Sequence, residues 1–354
     1  HTWAQEGTYI INVTASNNSN GSNSSKINLS VLTSRPLETP RGESIGYLGR
    51  NYICRMEHNS DISANNANYS FNWSGDGPDS CTNADAEHIW SSPGIKKVRV
   101  RALDIQGNPG NWSKEIIVDV YNQTYVECGQ DLQNAIDRSD NYTELILRCN
   151  NYNICRAISI SGKDHLTITS GASRAVLKNN RTVDSMIILD RSTNISLFNL
   201  SLNQSRDLNH LRISLIQVDN SFYCKIRNSN FDIYYHDFAI FVRSGGKNVF
   251  ENLSVEYRNR TNGMGIVIEN SASNIIKNVR FHFPIIIPNF SHIVLTSPFP
   301  DTHIIKLNKS QKLNITVDGC IYVWESETDS LMPIRDVCSP CNASVNLIEL
   351  VFYE

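Results

Sequence analysis

The chain has 354 residues, a formal net charge of −3 and 40% hydrophobic residues. That length allows two or three domains with real cores. The weak negative charge argues against nucleic acid as a partner, which needs a concentrated basic surface, and no run approaches the roughly 18 apolar residues of a transmembrane segment. The sequence opens at His1 without an initiator Met or signal peptide, so it is expected to be mature or excised from something longer.

The first element is a hairpin. Tyr9, Ile11 and Val13 alternate with polar residues, a Ser/Asn/Gly-rich turn follows over residues 16–25, and Ile27, Leu29 and Val31 alternate again. A linker carrying Pro36 and Pro40 leads to a longer alternating region. Its strand candidates are Tyr69-Ser-Phe71-Asn-Trp73, Lys97-Val-Arg-Val-Arg-Ala-Leu103 and Ile116-Ile-Val-Asp-Val120, with turns at Gly75-Asp76-Gly77 and Gly107-Asn-Pro109-Gly110. Residues 1–34 resemble the second half of a PKD module, the small immunoglobulin-like domain of surface proteins, and residues 35–122 resemble a complete one. Phe71-Asn-Trp73-Ser-Gly-Asp76-Gly77 stands where that family has Trp-Asp-Phe-Gly-Asp-Gly. The departure leaves Asp76 as a turn residue and gives calcium no support, while Phe71 and Trp73 read as core.

Residues 129–140 form the one helical patch, with Leu132, Ala135 and Ile136 at helical spacing. Placed before a stack of strands, such a helix covers the open end. A repeated pattern then dominates residues 123–325. Leu197-Phe-Asn199-Leu-Ser-Leu202, Ile226-Arg-Asn228-Ser-Asn-Phe231, Phe250-Glu-Asn252-Leu-Ser-Val255 and Ile276-Lys-Asn278-Val-Arg-Phe281 recur at intervals of 29, 24 and 26 residues. Each follows an alternating apolar run that ends in a polar turn, such as Asp190-Arg-Ser, Asp219-Asn-Ser, Arg243-Ser-Gly-Gly or Glu269-Asn-Ser. A unit of two or three short strands without a helix cannot bury its own apolar face and must stack on its neighbours.

These coils resemble the right-handed parallel β-helix of the pectate-lyase-like superfamily, so the fold class expected is all-β: PKD-like sandwich modules followed by a parallel β-helix. Asn199, Asn228, Asn252 and Asn278 are read as an inward ladder in which each amide bonds turn backbone or the next Asn. Weaker copies are read at residues 165–170 and 313–317, with residues 284–301 looped out. Residues 326–354 form a tail whose apolar strand, residues 345–353, has no evident place in the last coil.

Glycosylation triplets are dense. There are 20 Asn-X-Ser/Thr sequons, whereas 42 Asn and 57 Ser plus Thr in 354 residues give about 7 by chance. Those expected to carry sugar are Asn12, Asn17, Asn20, Asn23, Asn28, Asn68, Asn72, Asn111, Asn122, Asn141, Asn180, Asn194, Asn203, Asn259, Asn289, Asn308, Asn314 and Asn342; Asn199 and Asn252 are excepted as ladder residues. Nine cysteines also suit an oxidising, extracellular compartment. Cys54 and Cys81 share one small region and are expected to pair, and strand alternation points Cys224 inward as a free thiol. Cys338-Ser-Pro-Cys341 lacks the second pair that zinc binding would need and reads as a disulfide.

One constellation could carry chemistry: Asp232, His236 and Asp237, with Arg258 and Arg260 one coil later. Neither Gly-His-Gly with paired Asp residues nor Arg-X-Pro-X-X-Arg, signatures of β-helix enzymes, is present. The expectation is therefore a non-enzymatic, N-glycosylated subunit of a cell-surface layer or filament, similar to archaeal surface proteins. It would have no cofactor and would assemble head to tail with copies of itself through exchanged strands, with surface polysaccharide as a further partner. The alternative is a secreted carbohydrate-binding or polysaccharide-degrading protein. Fold alone does not choose between them.

Overall fold

The computed structural model describes residues 7–16, 22–31, 39–55, 70–75, 85–103, 109–171, 173–179, 185–204, 214–233, 238–258, 264–282, 293–296, 303–308, 314–317, 320–325, 330–333 and 348–353, with solenoid side chains described as far as residue 280. It divides into two compact units, His1–Val120 and Tyr121–Glu354.

In the first unit, β1 (Gly7–Ser16) and β2 (Ser22–Val31) form the expected antiparallel hairpin, Gly7 opposite Val31 and Ser16 opposite Ser22. The remaining strands are β3 (Ile45–Tyr47), β4 (Asn51–Arg55), β5 (Ser70–Gly75), β6 (Asp85–Ile89), β7 (Gly94–Leu103) and β8 (Ile116–Val126). They form two layers: β5, β7, β8 and β3 in one sheet, β4 and β6 in the other. Between the layers lie Tyr52, Trp73, Trp90, Val98, Val100, Val118 and Val120. Gly46 lets Trp90 lie against the backbone, since a Cβ there would stand 2.7 Å from its ring. Cys54 is an unbonded thiol buried in this core. The expected Cys54–Cys81 bridge is therefore not formed from Cys54, which the β4 alternation turns into the core, and Cys81 lies outside the described residues. Among the described residues one disulfide forms, joining Cys128 to Cys149.

The second unit is a parallel β-solenoid, about five of whose turns have described side chains. Three faces of parallel strands run up it. The first face stacks residues 122–126, Thr143–Leu147, Leu166–Ser170, Ser196–Phe198, Lys225–Arg227, Val249–Tyr257, Ile275–His282, His303–Asn308 and Ile348–Tyr353. The second stacks Asn151–Ile154, Ala175–Asn179, Leu200–Gln204 and Asn230–Ile233, and merges with the first at Val249–Tyr257. The third runs from Ile158–Ser161 through Ile187–Asp190, Ser214–Phe222, Phe238–Gly246, Met264–Ala272 and Ile293–Thr296 to Asn314–Val317.

Period-two alternation puts every second residue inside, and in-register stacking turns those residues into continuous apolar columns. Leu145, Ile168, Leu197, Ile226, Phe250 and Ile276 form one column, each at most 2% exposed. Burying each such side chain contributes roughly 1.5–3 kcal/mol before entropy is counted.

The helix α1 (Leu132–Arg138) starts at Asp131, whose carboxylate accepts from the N–H groups of Gln133 and Asn134. It meets the first strand of the third face through its glutamine. Gln133 donates to the Ser159 carbonyl at 2.8 Å and accepts from the Ser159 N–H at 2.7 Å, standing in for a missing neighbouring strand.

Three expectations about the coils are corrected. The weak copy at residues 313–317 belongs to the third face, not to the face of the Asn repeats. The segment thought to loop out, residues 284–301, contains the solenoid strand Ile293–Thr296. The terminal strand has a place in its own chain, Ile348–Tyr353 pairing in parallel with His303–Asn308 from His303 opposite Ile348 to Asn308 opposite Tyr353. That pairing gives the terminal strand a partner within its own chain; it does not involve the hairpin edge that strand exchange was meant to fill.

Candidate functional site

Outward positions stack as inward ones do. Equivalent outward residues on successive turns stand about 4.8 Å apart, so charges at one position become a charged column. On the first face Glu251 lies between Arg227 at 3.2 Å and Lys277 at 2.8 Å. On the second face Arg258 bonds Asp232 at 3.0 Å and Glu256 at 2.5 Å. Of the constellation expected from sequence, Asp232 and Arg258 thus come together, joined by Glu256, which was not anticipated. His236, Asp237 and Arg260 lie outside the described residues. One guanidinium between two carboxylates on neighbouring turns is enough to explain this cluster as a stacking contact.

The third face differs. Its outward column reads Ser161, Asp190, Asp219, Arg243, Glu269, each the register partner of the next. Asp219 has a side chain only 10% exposed. Its Oδ2 accepts from Gln217 Nε2 at 2.6 Å and from Arg243 at 2.9 Å, while its Oδ1 is buried with no hydrogen-bond partner among the described residues. Asp190, one turn away, is 28% exposed and accepts from Arg191 Nε at 2.9 Å and Ser161 Oγ at 3.4 Å. A buried carboxylate oxygen left bare is costly, and Asp219 is the register partner of Asp190, whose side chain solvent can reach. Sequence reading quoted Asp190-Arg-Ser and Asp219-Asn-Ser as turns. The available signal was their common offset from the apolar run, which stacking converts into adjacency.

The Asn ladder exists, but outside. Asn252 Nδ2 donates to Asn228 Oδ1 at 2.9 Å and Asn278 Nδ2 to Asn252 Oδ1 at 2.7 Å, while Asn199 Nδ2 donates to the Gly171 carbonyl at 3.3 Å. Asn252 and Asn278 are exposed and Asn199 and Asn228 half-buried. All four occupy left-handed backbone, φ from 50° to 57°, where Asn is among the few tolerated residues and where the amide turns outward. On the first face the inward amides include Asn248 and Asn274, at most 1% exposed. Asn248 Oδ1 accepts from the Cys224 N–H at 2.9 Å, its Nδ2 donates to the Ser221 carbonyl at 3.3 Å, and Asn274 Oδ1 accepts from the Asn248 N–H at 3.1 Å. Cys224 lies in the same inward column, fully buried and free; burial first, partly opposed by a bond from the Ile195 backbone, pushes its thiol up to about 12.

Among the sequons, Asn111, Asn122 and Asn141 are exposed and Asn194 and Asn203 half-buried. Asn12, Asn23, Asn28, Asn72, Asn308 and Asn314 lie in strands. Asn17, Asn20, Asn68, Asn180, Asn259, Asn289 and Asn342 lie outside the described residues. A cleft of about 530 Å³ opens beside α1, lined by Asp131, Gln133, Tyr152, Cys155 and Arg156, and it contains none of the stacked carboxylates. Among the described residues no helix is long and apolar enough to cross a membrane.

No protein-family profile matches the chain, and no curated protein matches it. Solved structures resemble it at low identity. A family 28 exopolygalacturonase of Yersinia enterocolitica is 11% identical, covering 77% of this chain and 70% of its own, with a TM-score of 0.38. The catalytic domain of a GH87 alpha-1,3-glucanase is 9% identical, covering 69% and 60%, with a TM-score of 0.33. The PKD domain of an M14-like peptidase from a Thermoplasmatales archaeon is 20% identical, covering 25% of this chain and 98% of its own, at a TM-score of 0.19. Two of these three neighbours are sugar-cleaving proteins by name. The expectation that this chain is not an enzyme is withdrawn, since missing signatures exclude particular active sites and not an active site.

Proposed function

We propose that this is an exported, N-glycosylated protein, a PKD-like sandwich followed by a β-solenoid, that acts on polysaccharide through Asp190 and Asp219. The observation that carries the reading is the bare, buried Oδ1 of Asp219 one turn from Asp190. Cleaving a glycosidic bond takes one carboxyl to protonate the leaving oxygen and a second to attack or to activate water. Register pairing puts the two backbones about 4.8 Å apart, on the scale over which two carboxyl groups flank one glycosidic bond. Gln217 and Arg243 hold Asp219 in one orientation, and Arg191, 74% exposed, projects beside Asp190. The layer-or-filament reading keeps the sequon excess as its support but loses the free terminal strand on which its assembly depended.

The test is release of reducing ends from a panel of neutral and acidic polysaccharides. Asp219→Asn and Asp190→Asn should each lower the rate by about 100-fold or more, as loss of a general acid or base does, while Asp232→Asn leaves it unchanged. Full activity in Asp219→Asn, or neither cleavage nor binding across the panel, overturns the proposal. For the exported, glycosylated setting, intact mass before and after deglycosylation should fall toward 39.9 kDa; a mass at that value before treatment overturns it.

A further inference from the structure

On the outward side of β7 in the first unit, Arg99 and Arg101 both stack on Trp112, their guanidinium carbons 4.6 and 4.3 Å from the ring centroid. The arrangement is built. Trp112 is held beside β7 by its neighbour Ser113, whose N–H donates to the Val100 carbonyl at 2.8 Å and whose hydroxyl accepts from the Val100 N–H at 3.0 Å. Stacking uses the face of a guanidinium and leaves the N–H donors, which lie in its plane, unspent. Among the described residues neither arginine has a carboxylate or hydrogen-bond partner, and the Nε of Arg101 is buried and bare. The nearby Glu115 is taken by Lys97 at 3.5 Å, and the residues opposite the two arginines on β5 are Asn72 and Ser74, both neutral.

Two cations held against one ring, with no counter-charge among the described residues, repel one another, and a bound anion offsets that cost. We infer that Arg99, Arg101 and Trp112 form a binding site for the carboxylate groups of an acidic polysaccharide, separate from the Asp190–Asp219 pair and independent of whether that pair is catalytic. The planar fork of each arginine matches a carboxylate. A site of two cations on a chain of net charge −3 does not supply the extended basic groove a nucleic acid follows.

The experiment measures binding of alginate, a polymer of uronates, to the full chain exported to a bacterial periplasm, with neutral dextran and dextran sulfate of matched length beside it. Alginate should bind, dextran should not, and added salt should weaken the binding. Arg99→Gln with Arg101→Gln should lower alginate affinity at least about tenfold. Arg101→Lys, which keeps the charge and the fold but loses the fork, should lower it several-fold. Asp219→Asn should leave it unchanged, which separates failure here from failure of the carboxylate pair. Equal binding by the double variant, dextran binding as well as alginate, preference for dextran sulfate over alginate, or no alginate binding overturns the inference.

Discussion

The outward column Asn199, Asn228, Asn252, Asn278 and the inward column Leu166, Ile195, Cys224, Asn248, Asn274 climb the same turns at the same spacing, yet their amides meet different partners. Outside, Asn228, Asn252 and Asn278 bond one another's side chains, Asn199 bonds an exposed backbone carbonyl, and each can exchange its bond for water. Inside, Asn248 is the partner of a buried backbone N–H and a buried carbonyl that have no water to turn to. Outward Asn is selected by the backbone angle and inward Asn by unsatisfied neighbours, so the two columns should respond to substitution in different ways.

The largest effect is expected at Asn248. Replacing it with Leu leaves the Cys224 N–H and the Ser221 carbonyl unpaired, at about 3 kcal/mol or more by the usual cost of orphaned buried groups. Denaturant unfolding of the purified chain reads this directly. Asn228→Leu comes second, at about 1–2 kcal/mol, because a side chain branched beyond Cβ is forced to φ 51°. Asn228→Gly should then cost only a few tenths, since glycine accepts that angle. Were Asn228→Gly as damaging as Asn248→Leu, the backbone account of the outer column would fail.

How much of this was legible follows from the physics of stacking. Periodicity announces coils because alternation and turn residues are local, and Leu197, Ile226, Phe250 and Ile276 fall in register as their spacing implies. Which polar residue faces inward is less legible. The Asn of Phe250-Glu-Asn252 is conspicuous but sits in left-handed backbone, while Asn248 hides in Gly245-Gly-Lys-Asn248 behind a glycine demanded by the Ser221 carbonyl, 2.3 Å from where a Cβ would be. The carboxylate pair was hidden for a similar reason, since Asp190 and Asp219 are 29 residues apart and only the third-face register brings them together. Strand Ile348–Tyr353 was legible as a strand, but its partner, His303–Asn308, lies across a long connection.

Cys224 sharpens the comparison through pH. Its thiol is pushed up to about 12 by burial against an ordinary value near 9, and Cys54 in the sandwich is pushed up to about 11 for the same reason. A raised folded-state value means that the neutral thiol's contribution is fully present below pH 9 and is lost as pH climbs toward 12 for Cys224 and toward 11 for Cys54. Each unit of pH in that window should remove about 1.4 kcal/mol per thiol from the unit that holds it. Cys224→Ser should flatten the solenoid's share of the loss. At neutral pH a thiol reagent should reach exposed Cys155 in the native chain and spare Cys54 and Cys224; equal labelling of all three would mean that the inward column is open to solvent.

The smallest expected effect is the most discriminating. Cys224 occupies the rung below Asn248 and already behaves like a short amide: its sulfur accepts from the Ile195 backbone, and its thiol donates to the Phe222 carbonyl at 3.6 Å. Asn248 uses its oxygen toward the Cys224 N–H and its nitrogen toward the Ser221 carbonyl in the same way. Cys224→Asn should therefore extend the inward amide ladder by one turn. Gained hydrogen bonds at about 1 kcal/mol each would offset the strain of adding atoms to a fully buried site, about 1–3 kcal/mol for overpacking. The net change should stay within about 1 kcal/mol, and the pH dependence between 9 and 12 assigned to this thiol should vanish. Cys224→Leu, of similar added bulk but without polar atoms, supplies the control and should cost more than Cys224→Asn. If the two substitutions cost the same, the column is an apolar packing surface in which Asn248 and Asn274 merely happen to be accommodated, and the contrast with the outer ladder is one of burial alone.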